Sequence, residues 1–420
     1  MKIEIFIPLL GFGGTEKAAF RWAAGLKKRH ELSVMSLEDG PMRNEFARTG
    51  IEVRVVEKSA EIIAEILKKE NPDVIHAHMF GFRGAANVLG HALQKLPKRI
   101  PVVQTNVFGR LENPQEDGWT DYRMFISYTS AGQAARRAGF AINASFFRRA
   151  DVAVYPLCPP PVPDEKTVRE FRASIGVHDD EVLFGRFSRP DIGKWIDLPL
   201  DGFIRALNSD RNIKLLLCEP PPSVAQMVRE KQLEGNIVVL QATTDEKRLN
   251  LIMASIDVVL HGSKIGESFG YGIAEPMLLG KPAIANSVPW NDQAQIELVR
   301  PKECGYIAST PEAIKRAILA LAKDNDLRKR MGANAKEHIA RLTDPDVSIR
   351  QLEKAFYNAL AGRDNSEASE CAKRVRSTMA YVDRNQLGSG LSETASLLPG
   401  YVKHEAALLR RKIKRIVLSR

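Results

Sequence analysis

Short apolar runs and amphipathic stretches alternate along this 420-residue chain from its first residues. Ile3–Leu9 is an apolar run interrupted by one glutamate and one proline, and it predicts a strand. Thr15–Lys28 predicts a helix, Leu32–Ser36 and Ile51–Val56 return to strands, and Ala60–Lys69 is helical again. Further strands are expected at Val74–Ala77, Val102–Thr105 and Val152–Tyr155. This alternation predicts a parallel sheet covered by helices. The proline-dense run Pro156–Pro163 continues neither element easily and reads as an interdomain linker.

After the linker the pattern begins again. Strands are expected at Val182–Phe187, Ile213–Cys218, Ile237–Leu240, Val258–Leu260 and Ala283–Ala285, with helices at Asp197–Leu207, Ser223–Leu233 and Glu246–Ser255. The chain is thus α/β, with one Rossmann-like β/α/β domain over residues 1–160 and a second over 164–345. Two such halves leave a cleft between the carboxyl ends of their sheets, where small-molecule sites gather. Beyond Gly305 the pattern is helical through Pro311–Lys323, Leu327–Arg341 and Val347–Leu360. Residues 346–362 are expected to cross back to the first domain. Residues 363–420 read as a basic, partly flexible tail, in which Asp364–Gly390 is polar and low in aliphatics.

Composition narrows the class. With 44% hydrophobic and 27% charged residues, the chain can bury substantial cores. Cys158, Cys218, Cys304 and Cys371 are far apart and read as free thiols in a reducing compartment. The N-terminal run reads as a first strand and not a signal peptide, and no run approaches the ~20 apolar residues of a membrane span. A cytoplasmic protein is expected. The net charge of +10 is concentrated in residues 363–420, where twelve Lys and Arg face six Asp and Glu. That distribution argues against a nucleic-acid-binding surface. At the terminus, Val402, Ala406, Leu409, Ile413 and Ile416 recur at helical spacing among basic residues. Tyr401–Arg420 therefore reads either as an amphipathic helix in peripheral contact with anionic membrane, or as one packed on protein.

The most informative segment is Gly266–Ala285, between two apolar runs. Glu267 is expected in a loop and Glu275, eight positions on, in an early helical turn. Phe269, Gly270, Tyr271 and Gly272 fall where that helix starts, and unpaired first-turn amides there favour an anion. A phosphate so placed would be flanked by two carboxylates, whose natural partners are sugar hydroxyls. The plainer explanation for Glu275 is complementation of the helix dipole, worth about 0.3–1 kcal/mol. Two further features shift the balance. Gly13 and Gly14 lie in a glycine-rich turn between the first strand and its helix, in a spacing that is not the dinucleotide Gly-x-Gly-x-x-Gly. Arg186, Arg189 and Lys194 sit at or just beyond the end of the second domain's first strand, where cations suit a pyrophosphate.

The Gly-Gly-x-Glu turn at Gly13–Glu16, the Arg189 and Lys194 pair, and the Glu267/Glu275 pair within Glu-x-Phe-Gly followed by Glu-x-x-x-x-Gly-Lys-Pro occur in the order found in a known family. The chain, from about Met1 to Leu360, resembles the family-four, group 1, retaining glycosyltransferases of GT-B fold. The resemblance implies that residues 1–160 form the acceptor side and 164–345 bind a UDP- or GDP-sugar. It implies that Arg189 and Lys194 hold the donor diphosphate, that Glu275 holds the ribose and that Glu267 meets the donor hexose. It implies no metal and no further cofactor, and a glycan, lipid-linked or other hydroxyl acceptor.

Two departures stand out. Ser188 replaces the family's glycine before the arginine. Where the family often has a Thr-x-His, this chain has Val102-Val-Gln-Thr-Asn-Val-Phe-Gly109, so Asn106 or local carbonyls would serve, and an Asn cannot act as a base. His78 is a candidate for sugar or acceptor contact, with a structural role as its rival; His76 and His78 lack the further ligands of a zinc site. Asp344-Pro-Asp346 reads as a helix cap and not a metal motif. The competing functions are a nucleotide-sugar epimerase and a catalytically silent nucleotide-sugar-binding scaffold.

Overall fold

The computed structural model describes residues 1–79, 83–111, 118–191, 194–241, 243, 245–387 and 391–418. The chain divides into two compact units, one of residues 1–157, 343–379 and 407–420 and the other of residues 158–342 and 380–406.

The first unit is built on seven strands: β1 (Lys2–Leu9), β2 (Glu31–Glu38), β3 (Glu52–Val55), β4 (Val74–Met79), β5 (Val102–Asn106), β6 (Tyr122–Phe125) and β7 (Ala150–Val152). They pair in the order β3-β2-β1-β4-β5-β6-β7, and every pairing is parallel. Because helices cover both faces, the central strands are buried on both sides, which is why β1 reads as a nearly unbroken apolar run. Glu4, the exception in that run, is buried and bonded to Arg54 and Ser33. Helix Pro345–Ala361 docks here through Ser348 Oγ, which accepts from Trp22 Nε1 at 2.8 Å and donates to the Val154 carbonyl at 2.5 Å.

The second unit repeats the plan with β8 (Val182–Phe187), β9 (Ile213–Cys218), β10 (Ile237–Leu240) and β11 (Val258–Leu260). After β11 come β12 (Gly266–Glu267), β13 (Ala283–Ala285), β14 (Asp292–Gln293) and β15 (Gly305–Ile307). The main sheet runs β10-β9-β8-β11-β13-β15, all parallel, while β12 and β14 form a separate two-stranded ribbon. Its core packs Phe184, Phe203, Leu215 and Leu260 against Ile314 and Ile318 of helix Pro311–Lys323. In this order the chain leaves β8 in one direction and β11 in the other, so their carboxyl ends flank the topological switch point, where open α/β sheets bind ligands.

The helices and strands expected from the pattern form with small shifts of boundary, except that the strand expected at Val152–Tyr155 lies earlier, at Ala150–Val152, and shares only Val152 with it. Residues 364–390, expected to be flexible, contain the helix Ala368–Asn385. Its buried face is Cys371, Ala372, Val375, Met379 and Val382, a stripe of helical period made mostly of small side chains. Gly132 admits it: a Cβ there would lie 2.3 Å from Met379 Cγ. The last helix, Leu391–Leu418, buries Leu397 but leaves Val402 and Leu409 exposed. Among the described residues, no helix is long and apolar enough to cross a membrane.

Candidate functional site

The second unit's switch point gathers the strongest of the expected residues. At the end of β8, Arg186 is buried and does not face solvent. Its guanidinium lies 3.9 Å from the Trp195 ring centroid and donates to the carbonyls of Gly262 at 2.6 Å, Lys194 at 2.9 Å and Ile196 at 3.3 Å. Burial pulls its pKa down to about 9, still high enough to keep it charged at neutral pH. Arg186 therefore ties the loop after β8 to the loop after β11, and it is Arg189 that stands exposed. The backbone turns tightly there: Asp191 N donates to Arg189 O and Lys194 N to Asp191 O, while Trp195 Nε1 donates to Arg189 O.

That turn delivers Lys194 Nζ to Glu267 Oε2 at 2.7 Å. Glu267 is not in a loop as the sequence suggests but in β12, paired to Gln293, and it is 8% exposed. His261, just beyond β11, meets its other oxygen at 3.1 Å. Burial alone would raise the Glu267 pKa, but Lys194 and then His261 outweigh it and hold the carboxyl at about 2. Burial pushes His261 down, so a neutral imidazole donating Nε2–H to the carboxylate accounts for the pair. The Glu267 amide is also bonded, to Gln295 Oε1 at 3.1 Å.

Helix Tyr271–Leu278 begins immediately after. Its cap, Gly270, has φ 103°, a left-handed conformation that disfavours any side chain. Gly272 allows the helix start to press on the end of β8, since a Cβ there would lie 2.4 Å from Phe187 O. The first-turn amides consequently emerge beside the strand end that carries Arg189 and Lys194. Phe269 is itself buried, with its ring edge-on to Tyr271 at 4.9 Å, so it contributes packing and backbone at this point. Glu275 is the fifth residue of the helix and half-buried, beyond the first turn in which a dipole role operates.

The first-unit candidates have different surroundings. Gly13 caps helix Gly14–Leu26, and a side chain there would strike the Glu16 carboxylate, 2.2 Å from the ideal Cβ. His78 has no exposed surface; its ring lies 4.2 Å from that of His76 and 5.8 Å from Trp22, and burial brings its pKa down to about 3. Of the two readings of His78, this burial supports the structural one. Asn106 spends its side chain on the following turn, donating Nδ2 to Arg110 O at 2.8 Å and accepting from Arg110 N at 3.3 Å. Asp344 caps its helix by accepting from Asp346 N and Val347 N. Among the described residues, no three His, Cys, Asp or Glu side chains cluster as metal ligands. Residues missed from sequence are His261 and Gln295; the only hint of His261 was an ionisable residue closing an apolar run.

Comparison with known proteins adds the following. Residues 13–183 match the Glycosyl transferase 4-like domain, and residues 197–338 match Glycosyl transferases group 1. An uncharacterized glycosyltransferase of Methanocaldococcus jannaschii, MJ1069, is 28% identical over 137 residues, which span 30% of this chain and 33% of that relative. The N-acetyl-alpha-D-glucosaminyl L-malate synthase of Bacillus anthracis is 22% identical over 328 residues, 73% of this chain and 80% of the relative. Among solved structures, Anabaena HepE in complex with UDP and glucose superposes with a TM-score of 0.71 at 19% identity, over 85% of this chain and 99% of that one.

Proposed function

Since this chain belongs to the group 1 glycosyltransferases and has their GT-B fold, we propose that its second unit binds a nucleoside-diphosphate hexose and transfers the hexose, with retention, to an acceptor hydroxyl. The observation that carries the reading is the Lys194–Glu267–His261 cluster at the switch point, next to the start of helix Tyr271–Leu278. Arg189, Lys194 and the amides at Gly270–Gly272 bind the diphosphate, Glu275 the ribose and Glu267 the hexose hydroxyls. Lys194 has two anionic partners to choose from. A diphosphate drawing it away from Glu267 frees that carboxylate to accept from the sugar. UDP is the favoured nucleotide because HepE, of like fold, binds it.

In the reaction, the bond from the anomeric carbon to the β-phosphate oxygen breaks as the acceptor oxygen forms its bond on the same face. The acceptor's proton passes to the leaving phosphate oxygen, so no side-chain base is required. Stabilising the departing diphosphate is then the main catalytic contribution. The test is to incubate the protein with UDP- and GDP-hexoses and measure release of the nucleoside diphosphate, for the native chain and for Glu267→Ala. Release that falls at least ~100-fold in the variant supports the reading. Tight nucleotide binding without release from any donor favours the silent scaffold.

The exposed Val402 and Leu409, one heptad apart on the last helix and followed by the basic sequence Arg410–Arg415, support a peripheral role at an anionic, cytoplasmic membrane face. Deleting residues 401–420 is expected to abolish sedimentation with phosphatidylserine vesicles, and unchanged sedimentation rejects it.

A further inference from the structure

The last helix begins outside both family-matched segments, yet its first turns belong to the second unit and bury Glu393 and Leu397. Glu393, 1% exposed, accepts from the Ser309 amide at 2.6 Å, just ahead of the capped start of helix Pro311–Lys323, where a carboxylate is favoured by the helix dipole. Ser309 Oγ accepts from the Ser287 amide at 2.9 Å, and Ser287 Oγ accepts from Gln293 Nε2 at 3.1 Å. Gln293 Oε1 accepts from Gln295 Nε2 at 3.0 Å, and Gln295 Oε1 accepts from the Glu267 amide at 3.1 Å. All of these side chains are at most 9% exposed. A second contact reinforces the first: Gly400 lies against the Trp290 ring, where an added Cβ would come within 2.5 Å of Cζ3.

Together these contacts join the C-terminal helix to the loop between β13 and β14, and that loop to the strand carrying Glu267. Buried, fully bonded polar chains hold a single geometry because any broken link strands a desolvated group. We propose that Glu393 is a positioning residue for the donor site, and that residues 391–400 are a brace which sets the Glu267 carboxylate. The proposal rests on reading Glu267 as the carboxylate that meets the donor sugar.

The test uses the full chain with Glu393→Ala, Glu393→Gln and Gly400→Val. Amide hydrogen exchange of peptides covering residues 263–268 and 286–295 should accelerate roughly 10-fold or more in Glu393→Ala and Gly400→Val, with peptides from β8 and β9 unchanged. Glu393→Gln, which keeps the accepting Oε1, should restore protection. With UDP-hexose as probe, Glu393→Ala should lower kcat with a smaller change in KM, and Glu393→Gln should recover it. Unchanged exchange at 263–268 overturns the brace. Altered exchange with unchanged kcat overturns its link to the donor site. If the native chain binds neither UDP nor GDP, it is the donor reading that fails, and exchange alone decides the brace.

Discussion

The ion pair between Lys194 and Glu267 offers the sharpest test of the site. Moving a carboxyl from its ordinary 4.5 to about 2 corresponds to ~3 kcal/mol in favour of the ionised form, at about 1.4 kcal/mol per pH unit. A folded-state pKa below the unfolded one stabilises the native state above pH 4.5, and that stability is lost as pH falls towards 2. Lys194→Met removes the leading stabilising partner and leaves a carboxylate for which burial is the largest single influence. Its folded-state pKa should then rise above the ordinary value, and the sign of the dependence should reverse, so that acidifying from pH 7 to 5 restores stability.

At pH 7 the variant should lose about 3–5 kcal/mol, the usual cost of breaking a buried pair on one side. For a unit of this size that is roughly a 6–20 °C fall in Tm. Glu267→Gln should cost less, because Lys194 is partly exposed and can turn to solvent. A double-mutant cycle read by calorimetry should therefore give a coupling of ~2 kcal/mol or more. Additivity within about 0.5 kcal/mol, or a Lys194→Met variant that weakens further between pH 7 and 5, would refute the reasoning.

Three further outcomes follow from the same geometry. Arg186→Ala, which strands three carbonyls of the two loops, should cost about 3 kcal/mol or more and weaken nucleoside-diphosphate binding measured by calorimetry, although Arg186 is buried; Arg186→Lys should recover only part. Gly272→Ala forces the helix start away from Phe187 O, so Tm should fall by an overpacking cost of about 1–3 kcal/mol, whereas Gly235→Ala, with open space around it, should be neutral in the same thermal scan. Finally, His78 stays neutral when folded down to about pH 3 but takes a proton near 6.5 when unfolded. Stability should thus fall by ~2 kcal/mol between pH 6.5 and 5 on this account, and a pH series of Tm values should be flatter in His78→Phe.

Much of the fold is legible in the residue pattern because strands buried on both faces must be apolar along their whole length. The runs at β1, β8, β9 and β11 show it. The short elements escape that logic. Gly266–Glu267 is too brief and too polar to carry a strand signal, and its pairing to Asp292–Gln293 depends on partners 26 residues away in sequence. The tail helix Ala368–Asn385 escapes because its buried stripe is made of Ala, Cys, Val and Met, and not of large aliphatics.

The site divides in the same way. Sequence alone determined the identities and spacings on which the proposed sugar-nucleotide site rests: Glu267 with Glu275, Arg189 with Lys194, and glycines where a chain must approach closely. It did so because local chemistry, a glycine at positive φ or a cation past a strand end, leaves its mark on neighbouring positions. Only the tertiary structure decided that Arg186 faces inward while Arg189 faces out, that His78 is sealed among aromatics, and that Glu393 reaches a network ending at Glu267. Direction and burial are set by which side chains the whole fold brings within hydrogen-bonding distance, and residues 126 positions apart carry no local trace of that meeting.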